Sequence, residues 1–278
     1  MKKIIAAFDG IRFSESTLQY AIYLAQETKA HLVGVFLRES TALGFAFYEM
    51  VARGSISGNK LFDDIENSDK QSIKESVSKF ITASQEANIS YAVHQDKKNA
   101  VDELIHETMF ADLLVIDAWE TFSYLENKMP GWFIKQVLHE AHCPVLVVPK
   151  KFRPIQKIIY LYDGSSASVH AIKMANYVLP EFTKSKSELL SAVNKNNAPV
   201  LPDNRLVKEW ANRHRSGTRF TVIKGGEAGL MNRLTKESNQ SLVVAGSYQR
   251  SRLSMWFHES LANLLMRKIK TPVFIAHL

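Results

Sequence analysis

Ile4 to Phe8 is a short continuous apolar run, the pattern of a parallel strand buried on both faces. Asp9-Gly10 turns the chain, and Ser14 predicts an N-cap for a helix to about Lys29, with Leu18, Ala21, Ile22, Leu24 and Ala25 as its apolar face. His31 to Leu37 predicts the second strand, which makes the opening unit a parallel strand–helix–strand crossover. Asp63 to Ala87 reads as a long polar helix with Ile65, Ile73, Val77, Phe80 and Ile81 facing inward. Ser90 to His94, Leu113 to Ile116 and Val145 to Val148 are the next three strands, with helices at Ala100 to Met109 and Phe133 to Glu140 between them. The stretch from Thr41 to Lys60 is different: Phe45, Phe47, Tyr48, Met50 and Val51 lie between Gly44, Gly54 and Gly58. A flap, a partner surface, a short helix and plain packing all remain open for it.

Lys150-Lys151-Phe152-Arg153-Pro154 is a charged, proline-bearing connector, and after it the order repeats. The second series is strand Ile158 to Tyr162, helix Ala167 to Val178, strand Glu188 to Val193, a loop to Asp203, helix Leu206 to Arg213, strand Arg219 to Ile223 and helix Leu230 to Glu237. It closes with strand Leu242 to Ala245, a long polar loop, helix Ser260 to Lys268 and a last strand after Thr271-Pro272. Lys3-Ile4-Ile5 and Phe8-Asp9-Gly10 return as Lys157-Ile158-Ile159 and Tyr162-Asp163-Gly164 at an offset of 154. Val93 and Asp117 match Val222 and Gly246 at an offset of 129, so the first copy carries 25 extra residues between its second and third strands. A period this long predicts two tandem domains, 1–150 with an insertion at about 41–62 and 151–278, rather than a solenoid. Five strands alternating with helices in each predict an α/β fold of two tandem open parallel five-stranded sheets with flanking helices, Rossmann-like.

The 278 residues suffice for two cores, and 46% apolar with 23% charged residues is the balance of a soluble globular protein. No apolar run approaches the roughly 18 residues of a membrane span, and the chain starts directly into a strand, so the expectation is a cytoplasmic protein without membrane contact. The single cysteine, Cys143, precedes Pro144 and a buried strand and reads as a packed thiol. The net charge of +7 is unevenly shared: residues 1–150 hold 15 Lys+Arg against 20 Asp+Glu, and residues 151–278 hold 20 against 8. That asymmetry either steers an anion to the second half or draws the halves, or two subunits, together. Its basic residues are scattered, which argues against nucleic acid.

The motifs at the ends of the strands carry a resemblance. A first strand ending in Asp9-Gly10, repeated as Asp163-Gly164-Ser165-Ser166, is joined by Val243-Val244-Ala245-Gly246-Ser247 and by the x-Pro-Val turns Cys143-Pro144-Val145 and Thr271-Pro272-Val273. Together these resemble the universal stress protein family in its tandem two-domain form, over nearly the whole chain. Members that hold ATP share a Gly-x2-Gly-x9-Gly-Ser/Thr loop, which the resemblance implies wraps the phosphates. Glycines admit backbone N–H groups to phosphate oxygens, and the hydroxyl sits at a helix N-terminus. Here Gly246 and Ser260 are in frame, but Gln249 and Glu259 replace two glycines; Arg250 and Arg252 compensate in part, and Lys224-Gly225-Gly226 is a second candidate cradle. The matching first-half positions are Asp117, Glu120, Gly131 and Trp132, with one glycine kept and two acids added.

The resemblance places Asp9 and Asp163 in a nucleotide cleft, whereas a turn and helix cap is the plainer role of Asp-Gly. His139-Glu140-Ala141-His142 lacks the spacing of the zinc-protease motif, so no metal site is expected. There is no nucleophile elbow and no Walker loop, and no catalytic residue is assigned. Met255-Trp256-Phe257 reads as core, interface or a stacking platform. Two functions follow, and a non-nucleotide ligand, such as a lipid or small metabolite under the aromatic insertion, stays open beside them. One is a non-catalytic stress-response protein that works by binding and regulation, with degenerate nucleotide loops and an unidentified protein partner. The other is an ATP or AMP sensor using the second domain through Asp163, Gly225, Gly226, Gly246, Ser247 and Ser260, with slow nucleotide hydrolysis as a less supported variant. The resemblance also implies that the two domains pair within the chain as a pseudo-dimer, their fifth strands antiparallel, and leaves a further homodimer open.

Overall fold

A computed structural model of the chain describes residues 1–9, 12–37, 58–95, 100–119, 131–237, 240–246, 265–268 and 270–276. The first half runs β1 (Lys3–Asp9), α1 (Glu15–Thr28), β2 (His31–Leu37), α2 (Gly58–Glu86), β3 (Tyr91–Gln95), α3 (Ala100–Thr108), β4 (Leu113–Asp117), α4 (Trp132–Glu140) and β5 (Val145–Val148). The second runs β6 (Lys157–Leu161), α5 (Ser166–Val178), a 3-10 turn Pro180–Lys184, β7 (Lys186–Val193), α6 (Asn204–His214), β8 (Arg219–Lys224), α7 (Gly226–Thr235), β9 (Ser241–Gly246), a helical turn at 265–268 and β10 (Val273–Ala276). The aromatic stretch at 41–57 lies outside the described residues; residues 58–60 already belong to α2.

The ten strands form one sheet in the order β3-β2-β1-β4-β5-β10-β9-β6-β7-β8. Every pairing is parallel except that of β5 with β10 at the centre. There Val147, Leu146 and Val145 face Val273, Phe274 and Ile275, so the register is symmetric about Leu146 and Phe274, themselves 128 residues apart. The expected antiparallel contact of the fifth strands is present, and it gives both strand edges a partner. Other registers match too: Ile4, Ile5 and Ala6 face Leu113, Leu114 and Val115, while Ile158, Ile159 and Tyr160 face Leu242, Val243 and Val244. Those pairs are related by the offsets of 154 and 129 seen in the sequence.

Burial follows strand position. β4, β5, β9 and β10 are buried throughout, whereas β3 and β8, at the two edges, are only half-buried. Pro144 and Pro272 stand just before β5 and β10, where a missing N–H breaks no ladder bond, and their carbonyls accept from Leu114 N–H and Val243 N–H at 3.0 Å each. Odd and even positions of the strands feed two cores, each running along both halves. On one face Ile5, Ala7, Val243 and Ala245 pack under α3, α4 and α7; on the other Ile4, Phe8, Tyr160 and Val244 pack under α1, α2, α5 and α6. An aromatic group joins the halves on the second face, with Phe152 of the connector edge-on to Tyr20 at 4.8 Å and Tyr23 at 5.5 Å, and Tyr23 edge-on to Phe182 at 5.7 Å. The Tyr20 hydroxyl accepts from Arg153 N–H at 3.2 Å, and burial pushes its pKa up to about 12.

Buried polar groups mark where this layering departs from an apolar sandwich. Arg215, 4% exposed at the end of α6, donates to the Tyr160 hydroxyl and to the Phe182 carbonyl, and Tyr160 in turn donates to Asn176 Oδ1 at 3.0 Å. Among the described residues no carboxylate pairs with this guanidinium. At the opposite face Glu188, 3% exposed, is met by Lys157 Nζ at 2.7 Å, Arg233 Nη2 at 3.1 Å and the Thr221 hydroxyl at 2.7 Å. Burial raises the Glu188 carboxyl, but the bonds from Lys157 and Thr221 and the two cations together hold it below its ordinary value. Cys143 is buried as expected, its thiol pushed up to about 12 by burial and then by Asp112.

Candidate functional site

Strand order reverses direction between β1 and β4 and again between β6 and β9, so each half has a crevice at the carboxyl ends of those strands. The sequence-predicted residues gather there: Asp9 and Asp117 end β1 and β4, Asp163 follows β6, and Gly246 ends β9. Ser247 and Ser260 lie outside the described residues, as do Glu120, Gln249, Arg250, Arg252, Met255-Trp256-Phe257 and Glu259.

In the first half the crevice contains its own anion. Ser14 caps α1 by accepting from Thr17 N–H at 3.2 Å, and it donates its own proton to Asp117 Oδ2 at 2.7 Å. The other carboxylate oxygen accepts from Trp119 N–H at 2.8 Å. Asp9 and Asp117 are each only 8% exposed. Burial raises the Asp117 carboxyl above its ordinary value, with the Trp119 and Ser14 bonds and the charge of Lys150 pulling the other way. Lys150 is held over the Trp119 ring, 4.1 Å from its centroid. A buried carboxylate thus sits at the N-terminus of α1, the place where helix dipole and hydroxyl would favour an incoming anion.

The second half solves the same corner differently. α5 starts one turn earlier than α1 does at the 154 offset, capped by Ser165, whose hydroxyl accepts from Ser168 N–H at 3.2 Å. Asp163 Oδ1 accepts from Ser165 N–H at 2.9 Å, the turn-forming bond of an Asx residue. The additional turn lies against Gly246: a Cβ there would come within 2.6 Å of the Ala167 carbonyl carbon and oxygen and 2.8 Å of Ser168 N. Glycine at 246 is therefore required by packing, and aspartate at the matching position 117 is tolerated because α1 begins later. Gly225 and Gly226 lie at the start of α7, not in a free loop: Gly225 has φ +107, donates to the Val193 carbonyl at 3.0 Å and accepts from Gly229 N–H at 3.1 Å. Helix α7 was expected from Leu230 and begins at Gly226, because these bonds fold both glycines into the turn. A Cβ at Gly229 would stand 2.4 Å from the Lys224 carbonyl oxygen, a requirement that sequence reasoning missed.

Beside this crevice lies a cavity of about 270 Å³ between α5 and α6, lined by Tyr162, Val169, Ile172, Lys173, Asp203, Leu206, Val207 and Trp210. Sequence reasoning did not find it, since its walls come from segments some 40 residues apart whose only shared signal is the apolar faces of two helices. No cluster of three or more His, Cys, Asp or Glu side chains suited to a metal occurs among the described residues, and no described helix is long and apolar enough to cross a membrane.

The model of the universal stress protein family matches residues 1–149. Among solved structures, a universal stress protein from Archaeoglobus fulgidus is similar with a TM-score of 0.67 at 15% identity, over 99% of this chain and 98% of that one. A functionally unknown protein from Pseudomonas aeruginosa is similar with 0.62 at 14% identity, over 100% and 92%. The cytoplasmic domain of a prokaryotic cation chloride cotransporter is similar with 0.51 at 12% identity, over 99% and 94%. At these identities the likeness is one of fold. Among curated proteins none matches the chain.

Proposed function

The chain belongs to the universal stress protein family, and on that premise we propose that it is a non-catalytic member that works by binding and regulation, its first half closed to nucleotide. The observation that carries this reading is Asp117. Its carboxylate already takes the Ser14 hydroxyl and the Trp119 N–H at the head of α1. A phosphate arriving there would meet a negative charge rather than free donors, and the repulsion in a half-buried site is severe. In the second half Asp163, Gly225 and Gly246 each have a structural task, a turn, a strand-to-helix corner and a close helix contact. In the described part of the first crevice the Ser14 hydroxyl on Asp117 is also engaged in capping α1, and the His31–Ser90 contact lies at the amino ends of β2 and β3, away from the crevices, so regulation through a protein partner is favoured over turnover.

A second reading keeps an adenine nucleotide, ATP or AMP, in the second half. What favours it is the crevice itself, where Gly246 stands in place of the Asp117 carboxylate of the first half, together with the excess of basic residues in 151–278. Calorimetric titration with ATP and AMP separates the two readings. The proposed function predicts no saturable heat; the second predicts one site per chain, weakened in Asp163→Asn, which keeps the oxygen that accepts from Ser165. Gly246 is unsuited to this test, because any side chain there disturbs α5.

A further inference from the structure

The cavity between α5 and α6 differs in kind from the two crevices. At about 270 Å³ it falls just under the roughly 300–1,000 Å³ of pockets for drug-sized ligands, which suits a smaller molecule. Val169, Ile172, Leu206, Val207 and Trp210 make most of its wall apolar, while Lys173 and Asp203 bring one positive and one negative charge. Among the described residues no salt bridge joins these two. Asp203 is also held in an unusual way. Its φ of +43 is left-handed, a conformation that costs a side-chain-bearing residue energy, and although it occupies the cap position of α6 its carboxylate makes no capping bond.

The neighbours explain why the strain persists. The Pro202 carbonyl accepts from the Tyr162 hydroxyl at 3.2 Å, and Pro202 packs on Gly164 so tightly that a Cβ there would be 2.8 Å from Pro202 Cβ and 3.9 Å from Asp203 Oδ2. The loop is thereby clamped to the β6–α5 turn with the Asp203 carboxylate at the cavity. The Tyr162 hydroxyl is pushed up to about 12, first by burial and then by the carboxylates of Asp203 and Asp163, as that placement requires. Asp203 and Lys173 are both solvent-exposed at the cavity, so the carboxylate, which neither caps its helix nor pairs with the lysine, is held by water that a ligand can displace.

We propose that this cleft binds a small zwitterion with an apolar body, of the class of the apolar α-amino acids. The ligand carboxylate meets the Lys173 ammonium, the ligand ammonium meets the Asp203 carboxylate, and the side chain fills the space among Val169, Ile172, Val207 and Trp210. A singly charged apolar molecule would engage one of the two groups and leave the other to water. This site adjoins the second crevice at the Gly164 turn, but its lining includes none of Asp163, Gly225, Gly226 and Gly246, so it is argued without reference to a nucleotide.

Calorimetry on the full chain tests the proposal with L-phenylalanine and L-leucine, beside 3-phenylpropionate and phenethylamine, which each lack one charge. Asp203→Asn keeps a residue type tolerant of left-handed backbone, Lys173→Met keeps the apolar stem, and thermal melts of both show whether the fold is intact. Saturable binding of an amino acid at one per chain is expected, weaker by roughly two- to fivefold in each variant and for each analogue because both charges are exposed, with saturating ATP leaving the isotherm unchanged. Indole emission that responds to the amino acid in the wild type but not in Trp210→Phe places the ligand in this cleft. Absence of saturation by either amino acid at about 10 mM, far weaker than the contacts imply, overturns the proposal. So does retained affinity when either charge is removed from protein or ligand, or competition by ATP.

Discussion

Gly246→Ala separates the two explanations for a glycine at the end of β9. If the glycine serves only to admit a phosphate, one methyl group leaves the ligand-free protein undisturbed. If it serves the contact with α5, the new Cβ meets backbone atoms of Ala167 and Ser168 at 2.6–2.8 Å, where a side-chain swing gives no relief. Forcing a methyl into so tight a contact costs roughly 1–3 kcal/mol, and the upper part of the range applies because backbone must move. Alanine also narrows the unfolded ensemble, which returns about 0.4–1 kcal/mol. The net loss is about 1–2 kcal/mol, equivalent to a fall in Tm of roughly 2–8 °C for a protein of this size. Urea unfolding followed by circular dichroism, in the absence of nucleotide, measures it as a lower midpoint at unchanged slope. Equal or greater stability of the alanine variant would refute the packing argument and restore a phosphate role for Gly246.

Asp117→Asn tests the internal anion. Because the folded Asp117 pKa is raised above its ordinary 3.8, the aspartate is best tolerated below that pH and its contribution is lost as pH rises through the folded value. The asparagine variant is therefore expected to equal or exceed the wild type in stability at pH 7 and to lose that advantage toward pH 4, as read by melts across that range. Glu188 has the opposite sign: its folded pKa lies below 4.5, so the stability it contributes is present above that pH and is lost as pH falls through the folded value. Glu188→Gln is expected to cost roughly 1–3 kcal/mol at pH 7 in urea unfolding and to flatten the acid-induced loss below about pH 4.5. Arg215→Ala empties a buried site and removes the guanidinium bonds to the Tyr160 hydroxyl and the Phe182 carbonyl, which keeps only Ser185 N–H, an expected loss of roughly 2–4 kcal/mol, whereas Arg215→Met keeps the volume and loses less. Equal losses in the two Arg215 variants would show that the guanidinium bonds, not its bulk, hold this corner.

The alternation of strands and helices was legible because the sequence states it twice, and the central antiparallel pair was expected from the resemblance; the strand order was not read. Ile4 and Ile158, and Leu113 and Leu242, each carry the same apolar environment, so the offsets that align them also predict that the two halves share a register. Ser14 was equally readable as a cap. What the sequence obscured is tertiary. The start of α5 was read within one residue, at Ala167 instead of Ser166, but among Ser165, Ser166 and Ser168 only the bonds from Ser165 N–H to Asp163 and from Ser168 N–H to Ser165 single out Ser165 as the cap, a turn earlier than Ser14 at the repeat offset. That one choice reassigns Gly246 from phosphate loop to helix contact. Gly225 and Gly226 read as loop on propensity, whereas the bond to Val193, 32 residues away, draws them into the first turn of α7. Arg215 and Asp203 were invisible as special positions, since the Phe182 carbonyl that holds one and the Tyr162 hydroxyl that positions the loop of the other are recognisable only after the chain has folded.

The central claim is that this universal stress protein works without a nucleotide in its first half and without turnover in either. Freshly purified protein, denatured and analysed for released small molecules by chromatography and mass spectrometry alongside an ATP titration of the folded chain, tests it most directly. No adenine nucleotide released and no saturable heat is the predicted result. One unconverted nucleotide per chain would favour the second reading instead, and two per chain, or one converted to product during the titration, would contradict the claim itself.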